Sequence, residues 1–278
     1  MRRRKGRSGA LEASLRAALL PFLVSRALVA LALGAAKLYA HHRPHDARAV
    51  SSAHAGLLAW DGAWYHRIAQ IGYQGAGRPS LRFFPLFPLL GHALGSLPGI
   101  SYEVALLLIA NLCAFVALAL LHALVTEESL GGSVASRSTW VLALWPAAFV
   151  LVMAYSESLL LCLTIAAFLC WRRGAFWWSL LPAFLAGACR PVGVLLAVPA
   201  LVEAGRGWAG LRQREGAASV AAGLASRLGA ILAPLAGAGV YLGWVADRYG
   251  NFAIPLREQV SRHHRGGAAD PFTTIWHD

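Results

Sequence analysis

The chain contains 278 residues, of which 58 % are hydrophobic and 14 % are charged, and its formal net charge is +12. Soluble domains carry about 25 % charged residues, so this composition excludes a soluble fold and predicts an all-α polytopic membrane protein. The positive charge does not predict nucleic-acid binding, because the basic residues flank apolar segments, as the orientation rule for membrane helices requires.

The first apolar segment predicts a membrane-spanning helix over residues 17–39. Residues 1–16 carry six basic side chains against one acidic side chain, so we expect the N-terminus in the cytoplasm. The segment exceeds the roughly 7–15 apolar residues of a cleaved signal peptide, which favours an uncleaved span. Arg26 interrupts it, and an arginine inside a span is costly unless it faces protein or water.

Residues 40–102 form the longest stretch without a clear span, and by this orientation they lie outside the cytoplasm. Long loops in compact proteins are usually functional or contain elements of their own. The spacing of apolar residues predicts two short helices in the membrane interface, over residues 55–71 and 83–97. We expect a single transmembrane domain, residues 1–278, in the cell membrane.

The remaining spans are predicted between residues 104 and 245, which gives about seven in total. They are residues 104–125, 139–153, 158–171, two short helices within 176–202, and 228–245. The break inside 176–202 is placed at Arg190, because a residue before proline disfavours helix. This choice puts the basic residues between 206 and 227 in the cytoplasm, as the charge rule favours.

Residues 246–278 then form an outer tail, and its ending suggests that a C-terminal part is missing. The tail contradicts the charge rule, because Arg248, Arg257 and Arg262 lie on the outer side. Either the count of spans is wrong or these arginines have a function there. A guanidinium group matches phosphate oxygens, so we predict that they bind a donor phosphate.

Asp61 is the first candidate catalytic residue, and two interpretations of it are open. It precedes a segment with helical periodicity, so it could be an ordinary helix N-cap. Alternatively, an acid beside an apolar wall can act as a general base, and Trp60, Trp64 and Tyr65 would supply that wall. These aromatic residues could equally belong to an interfacial belt.

Glu157 and Arg190 are the next candidates. Glu157 lies in the sequence AYSESLL, in a turn between two predicted spans, where an acid is also favoured by the dipole of the following helix. Arg190 could reach out to the lipid head groups from a helix end, or it could bind a lipid phosphate between helices. The predicted orientation places both residues on the same outer side as Asp61.

No metal site or other cofactor is predicted, and a divalent metal ion is left open. The cysteines lie inside apolar segments without a CxxC pair, which is typical of small buried side chains. The histidines of the HHRPH segment lack the spacing that metal ligation requires.

Four sequence blocks, taken in order, resemble a known family. WDGAWYHRIAQIGY with FFPLFPLL is similar to the first outer loop of the PIG-V family, the second mannosyltransferase of GPI-anchor assembly. NLCAFVALALL, ALWPAAFVLVMAYSESLLLCLTIAAF and FLAGACRPVGVLLAVP resemble the blocks that follow. The resemblance covers residues 60–199. The chain is rich in Arg, Ala and Gly and contains two lysines, which suggests a bacterial member.

This resemblance implies a glycosyltransferase of the GT-C class with a polyprenyl-phosphate sugar donor. The sugar would be mannose or a similar hexose, transferred with inversion on the outer face to a hydroxyl of a glycan, lipid or protein acceptor. It implies that Asp61 acts on the acceptor hydroxyl, with Glu157 and Arg190 in the same site. Substrate contacts are expected from Trp60, Trp64, Tyr65, Tyr73 and Tyr155.

Two other functions are compatible with the residues. A transporter or flippase of lipid-linked sugars would also contain broken helices and buried charges, but it predicts inverted repeats, and none is visible. A non-catalytic subunit of a membrane glycosylation complex would use the outer loop to bind a partner. Charges in outer turns rather than within spans favour the enzyme.

Overall fold

The computed structural model describes residues 2–43, 45, 47–128, 130–206 and 217–259. Within these ranges the regular structure is entirely helical, which confirms the predicted all-α fold. The α-helices are α1 (Arg2–His42), α2 (Ala47–Ala55), α3 (Asp61–Ala76), α4 (Leu86–Gly95), α5 (Tyr102–Glu127), α6 (Gly132–Leu144), α7 (Glu157–Arg172), α8 (Phe176–Cys189), α9 (Ala197–Arg206), α10 (Ala217–Tyr249) and α11 (Ile254–Gln259).

Three of the described helices are long and apolar enough to cross a membrane. These segments are Gly9–His42, Tyr102–Glu127 and Ala217–Tyr249, and they confirm that the chain is a membrane protein. A perpendicular crossing needs about 20 residues, whereas α6, α7 and α8 contain 13, 16 and 14 residues. The count of seven spans and the GT-C class therefore stay predictions.

Two of these short helices, α6 and α8, end just before a proline. A 3₁₀ segment, Pro146–Leu151, follows α6, and another, Pro191–Leu196, follows α8. Arg190 between α8 and Pro191 is extended, with φ −154° and ψ 152°, as expected for a residue before proline.

Helices α8 and α10 pack backbone against backbone, at positions where only glycine leaves enough space. A Cβ atom on Gly187 would lie 1.9 Å from the carbonyl oxygen of Pro234, and one on Gly237 would lie 1.9 Å from that of Phe184. Small residues at such a crossing let two membrane helices approach each other. This contact fixes the C-terminal end of α8, and therefore Arg190, against α10.

The outer loop contains three α-helices, of which α3 and α4 lie near the two expected positions. Their relation to a membrane interface stays a prediction. Helix α3 begins at Asp61 rather than at residue 55, because Gly56 and Trp60 both have positive φ. Helices α3 and α4 pack on α5 through buried side chains that include Tyr65, Phe87 and Leu106.

Arg26 is bonded to protein rather than to lipid head groups. Its Nε donates to Oδ1 of Asn111 at 3.0 Å, and Nη2 donates to the carbonyl oxygen of Leu151 at 3.0 Å. The guanidinium group also lies 3.8 Å from the centroid of the Phe22 ring. The interior arginine thus joins α1 to α5 and to the 3₁₀ segment after α6.

Candidate active site

Asp61 is the first residue of α3, and the N-cap interpretation of it is wrong. The N-cap is Trp60, which makes no side-chain cap hydrogen bond. Trp60 has φ 54° and ψ −115°, a conformation that costs a bulky residue about 1–3 kcal/mol and is found mainly at functional sites. The carboxylate of Asp61 therefore lies in the first helical turn, where the helix dipole favours negative charge.

Tyr155 holds the start of α3 in place. Its hydroxyl accepts a hydrogen bond from the backbone N–H of Asp61 at 3.3 Å and donates one to the carbonyl oxygen of Ala59 at 3.2 Å. Burial raises the pKa of Tyr155 to about 12, so the hydroxyl keeps its proton at neutral pH. The turn before α7 is thus fixed to the residue that carries the candidate base.

Arg190, Glu157, Ser156 and Tyr65 form one polar network. Arg190 makes an ion pair with Glu157 and donates from Nη1 to Oγ of Ser156 at 3.2 Å. The Ser156 and Tyr65 hydroxyls are 2.6 Å apart. Burial is the main cause that raises the pKa of Tyr65. The network joins α3, α7 and the end of α8, which are far apart in the chain.

Glu157 uses only one of its carboxylate oxygens in this network. Oε1 pairs with Arg190, whereas Oε2 is buried and has no hydrogen-bond partner among the described residues. Buried polar atoms in native proteins are nearly always hydrogen-bonded. Glu157 thus holds Arg190 with one carboxylate oxygen and keeps the other inside the protein.

A cavity of about 200 Å³ lies between these elements. Its lining residues are Asp61, Tyr65, Arg82, Phe83, Phe84, Arg190, Pro191 and Gln259. The volume is below the roughly 300–1,000 Å³ of sites for drug-sized ligands, so the cavity suits a small polar head group. The structure thus brings Asp61 and Arg190 to one cavity and places Glu157 directly behind the arginine.

Arg82 is a cavity residue that the sequence analysis missed. Its guanidinium group lies 4.8 Å from the Phe83 ring centroid and 5.2 Å from that of Trp64. Trp64 in turn stacks on Phe83 at 5.9 Å. Such contacts orient a cation against the faces of aromatic rings. The signal in the sequence was an arginine directly before the FFPLFP motif.

Four of the five predicted substrate-binding aromatic residues do not line this cavity: Trp60, Trp64, Tyr73 and Tyr155. Trp60 is 63 % exposed and lines a separate apolar groove of about 530 Å³ between α1, α2 and the start of α3. Tyr73 is packed against Tyr241, and its hydroxyl donates to the carbonyl oxygen of Phe83 at 2.8 Å. Tyr73 therefore supports the cavity wall from behind.

The arginines predicted to bind phosphate from the tail are not gathered at the cavity. Arg248 is exposed and faces Gln74, whose amide oxygen accepts two hydrogen bonds from it at 2.7 and 3.1 Å in the orientation that satisfies both groups. Arg257 is exposed on α11, and Gln259 of that helix lines the cavity. Arg262 lies outside the described residues.

No group of three or more His, Cys, Asp or Glu side chains that could hold a metal ion occurs in the described ranges. Among the residues that line the cavity, Asp61 is the carboxylate that could contact a divalent ion. Carboxylate oxygens suit magnesium and manganese.

The fold and the cavity define a helical membrane protein with a site that combines a carboxylate with two guanidinium groups. The family model Mannosyltransferase (PIG-V) matches residues 12–214, more than two thirds of the chain, and the chain belongs to this family. The protein is thus a membrane glycosyltransferase. Comparisons with curated proteins and with solved structures give no match.

The family match confirms the resemblance read from the four sequence blocks. It also decides for an enzyme against the transporter and the non-catalytic subunit. The matched region contains Asp61, Arg82 and Arg190, whereas Gln259 lies beyond it.

Proposed function

We propose that the protein transfers mannose, or a similar hexose, from a polyprenyl-phosphate donor to an acceptor hydroxyl on the extracytoplasmic side of the cell membrane. The observation that carries this proposal is the cavity shared by Asp61, Arg82 and Arg190. Sugar transfer from a lipid phosphate requires a proton acceptor and a counter-charge for the departing phosphate, and the cavity contains one group of the first kind and two of the second.

Asp61 is the general base in this mechanism. Its carboxylate makes no side-chain hydrogen bond to another described residue, while its backbone is held by Tyr155. A fixed carboxylate with free oxygens can accept the proton of the acceptor hydroxyl as that oxygen attacks the anomeric carbon. General bases of this kind contribute about 10²–10⁴-fold to the rate.

The two guanidinium groups stabilise the leaving phosphate. As the new glycosidic bond forms, the bond between the anomeric carbon and the phosphate oxygen breaks, and both electrons stay on the phosphate. Arg82 and Arg190 are positioned to neutralise this charge. Because the reaction is a single displacement, the configuration at the anomeric carbon inverts.

Glu157 is a positioning residue for Arg190 in this scheme. The ion pair fixes one edge of the guanidinium group, and Ser156 accepts a further hydrogen bond from it. A prearranged cation needs no reorientation when the phosphate charge develops. The pairing also lowers the net charge of the site, and Arg82 adds a second guanidinium group to the cavity.

The apolar groove beside Trp60 supports a lipid-linked substrate. It is lined by apolar side chains of α1 and α2, and Trp60 is followed directly by Asp61 of the polar cavity. A lipid chain buried in the groove would place its polar end near the carboxylate. The acceptor can be a glycan, a lipid or a protein, because the site selects a hydroxyl group.

The decisive experiment compares Asp61→Asn with the wild-type protein in membranes supplied with polyprenyl-phosphate-mannose. We expect a loss of sugar transfer of at least about 10²-fold, with unchanged expression and thermal unfolding. Asp247→Asn is the matched control, because this aspartate is exposed on α10 and does not line the cavity. Near-normal transfer by Asp61→Asn would remove this residue from the mechanism.

A further inference from the structure

A second cavity lies at the opposite end of α8 from the candidate active site. Helix α8 contains 14 residues, which corresponds to a length of about 21 Å. Arg190 follows its C-terminal end, while its N-terminal residues Phe176, Trp177 and Trp178 line a cavity of about 390 Å³. The first turns of α10 form the other wall.

The lining of this second cavity is cationic. Arg173 and Arg227 both line it, and no acidic side chain does so among the described residues. The guanidinium group of Arg227 lies 4.6 Å from the centroid of the Phe176 ring, and its Nη1 donates to the carbonyl oxygen of Gly223 at 3.1 Å. Arg173 pairs with Glu127 at 2.7 Å, so its charge is partly compensated.

The N-terminus of α8 adds donors to these two cations. Ala175, the N-cap residue, supplies no side-chain hydrogen bond to the first turn, and backbone N–H groups at such an end favour anions. Ser226 also lines the cavity, but its hydroxyl donates to the carbonyl oxygen of Gly223 at 2.9 Å. A phosphate group matches the remaining set, because guanidinium groups and backbone N–H groups both donate to its oxygens.

The length of α10 and two exposed tryptophans favour a position of this cavity at the level of the lipid head groups. Helix α10 contains 33 residues, or about 50 Å, whereas the hydrocarbon core is about 30 Å thick. Part of this helix therefore extends beyond the hydrocarbon, and we place its first turns there because they contain Arg227, a charged residue that is costly inside a membrane. Trp177 and Trp178 are 57 % and 79 % exposed, and exposed tryptophans of membrane proteins concentrate at the head-group level.

We propose that this cavity binds the phosphate of one anionic phospholipid, whose acyl chains lie along α8 and α10. This inference is independent of the proposed sugar transfer, because the site shares no residue with the catalytic cavity. The lipid would tie the N-terminus of α8 to α10, the helix against which Gly187 already packs. Binding should therefore stabilise the folded protein, and by more at a higher lipid concentration or a lower Kd.

The test uses the purified full-length chain in detergent, with phosphatidylglycerol and phosphatidylcholine of identical acyl chains as probes. Native mass spectrometry should show one retained phosphatidylglycerol per protein, and thermal unfolding should shift upward with this lipid alone. Arg227→Gln should weaken retention about tenfold, because it removes a charge-assisted hydrogen bond. Arg227→Lys should keep most of the retention.

Matched variants make the result interpretable even if Arg227→Gln does not fold. Trp178→Ser changes a mainly exposed side chain and should weaken retention without affecting the core. Arg16→Gln removes an equally cationic but distant residue, which pairs with Glu12 at 2.5 Å, and should change nothing. Equal retention of phosphatidylcholine by the wild-type protein would overturn the proposal, as would unchanged retention in Trp178→Ser.

A separate measurement distinguishes the lipid from a soluble phosphate. Glycerol 1-phosphate and inorganic phosphate at millimolar concentration should leave the unfolding temperature unchanged. If either one stabilises the protein as much as phosphatidylglycerol and Arg227→Gln abolishes that effect, the site belongs to a soluble phosphate compound and the lipid proposal is wrong.

Discussion

At the scale of single residues, the site depends on which arginines face the donor phosphate. Arg190 lines the cavity and is paired with Glu157. We expect Arg190→Ala to raise the KM for the donor about tenfold or more, since a hydrogen bond to a charged group is worth about 1.5–3 kcal/mol. Steady-state kinetics with varied donor and saturating acceptor measure this change.

Arg248→Ala is the control for Arg190→Ala, because Arg248 is exposed beside Gln74 and away from the cavity. It should leave the KM for the donor within about twofold of the wild-type value. If the two variants weaken donor use equally, the tail arginines belong to the site, as the sequence alone predicted.

Arg82 offers a second residue-scale prediction. It lies over the Phe83 and Trp64 rings, so Arg82→Gln removes charge from the cavity and leaves most of the wall. We expect kcat/KM for the donor to fall about tenfold or more, with a smaller fall in Arg82→Lys. Transfer rates at low donor concentration measure the effect.

Arg67→Gln is the matched control for Arg82→Gln, because Arg67 is exposed on α3 and also belongs to the outer loop. A similar decrease in both variants would point to a general electrostatic attraction by the loop rather than to a contact in the cavity.

The local sequence predicted the conformation of some of these residues but not the contacts that depend on helix packing. The extended Arg190 followed from its position before proline. The pairing of Arg190 with Glu157 was not predictable, because it depends on how α7 packs against α8. The positive φ of Trp60 was also not predictable, because a residue with a bulky side chain rarely adopts that backbone conformation. Asp61 consequently lies one position inside the helix.

At the scale of helices, the contact between α8 and α10 sets the geometry of the site. A Cβ atom at Gly187 would meet backbone at 1.9 Å, so Gly187→Ala forces the helices apart. Overpacking of this kind costs about 1–3 kcal/mol. We expect a lower unfolding temperature in detergent and reduced transfer, because Arg190 lies three residues further along the chain.

Gly243→Ala is the control for Gly187→Ala. It lies on α10 with nothing within 4 Å of an added Cβ, and alanine is favoured over glycine in a helix by about 0.5–1 kcal/mol. The unfolding temperature should therefore stay constant or rise. A decrease of the same size in both variants would mean that the close packing is not the cause.

The hydropathy of the sequence predicted some of the helices but not all of their ends. The first span is confirmed as an apolar helix, and its interior Arg26 faces protein because Asn111 and the Leu151 carbonyl accept its hydrogen bonds. The segment predicted as a span over residues 139–153 is instead interrupted at Pro146. The proline was visible in the sequence, but its apolar neighbours concealed the break.

At the scale of the whole molecule, the predicted crossing of the membrane by α5 places the residues before it and the residues after it on opposite sides of the membrane. Helix α5 contains 26 residues, about 39 Å, enough to cross. Ser96 precedes it and Ser133 follows it, and both are exposed. Ser96→Cys should react with an impermeant maleimide in intact cells, whereas Ser133→Cys should react only after permeabilisation.

This pair of variants tests the orientation on which the proposed outer active site depends. Each replaces a serine by a cysteine of similar size, and the wild-type protein gives the background labelling of its own four cysteines. The reverse pattern would place the cavity in the cytoplasm and require a donor presented there. Labelling of both cysteines in intact cells would mean that α5 does not cross the membrane, so Asp61 could not be assigned to either face from α5.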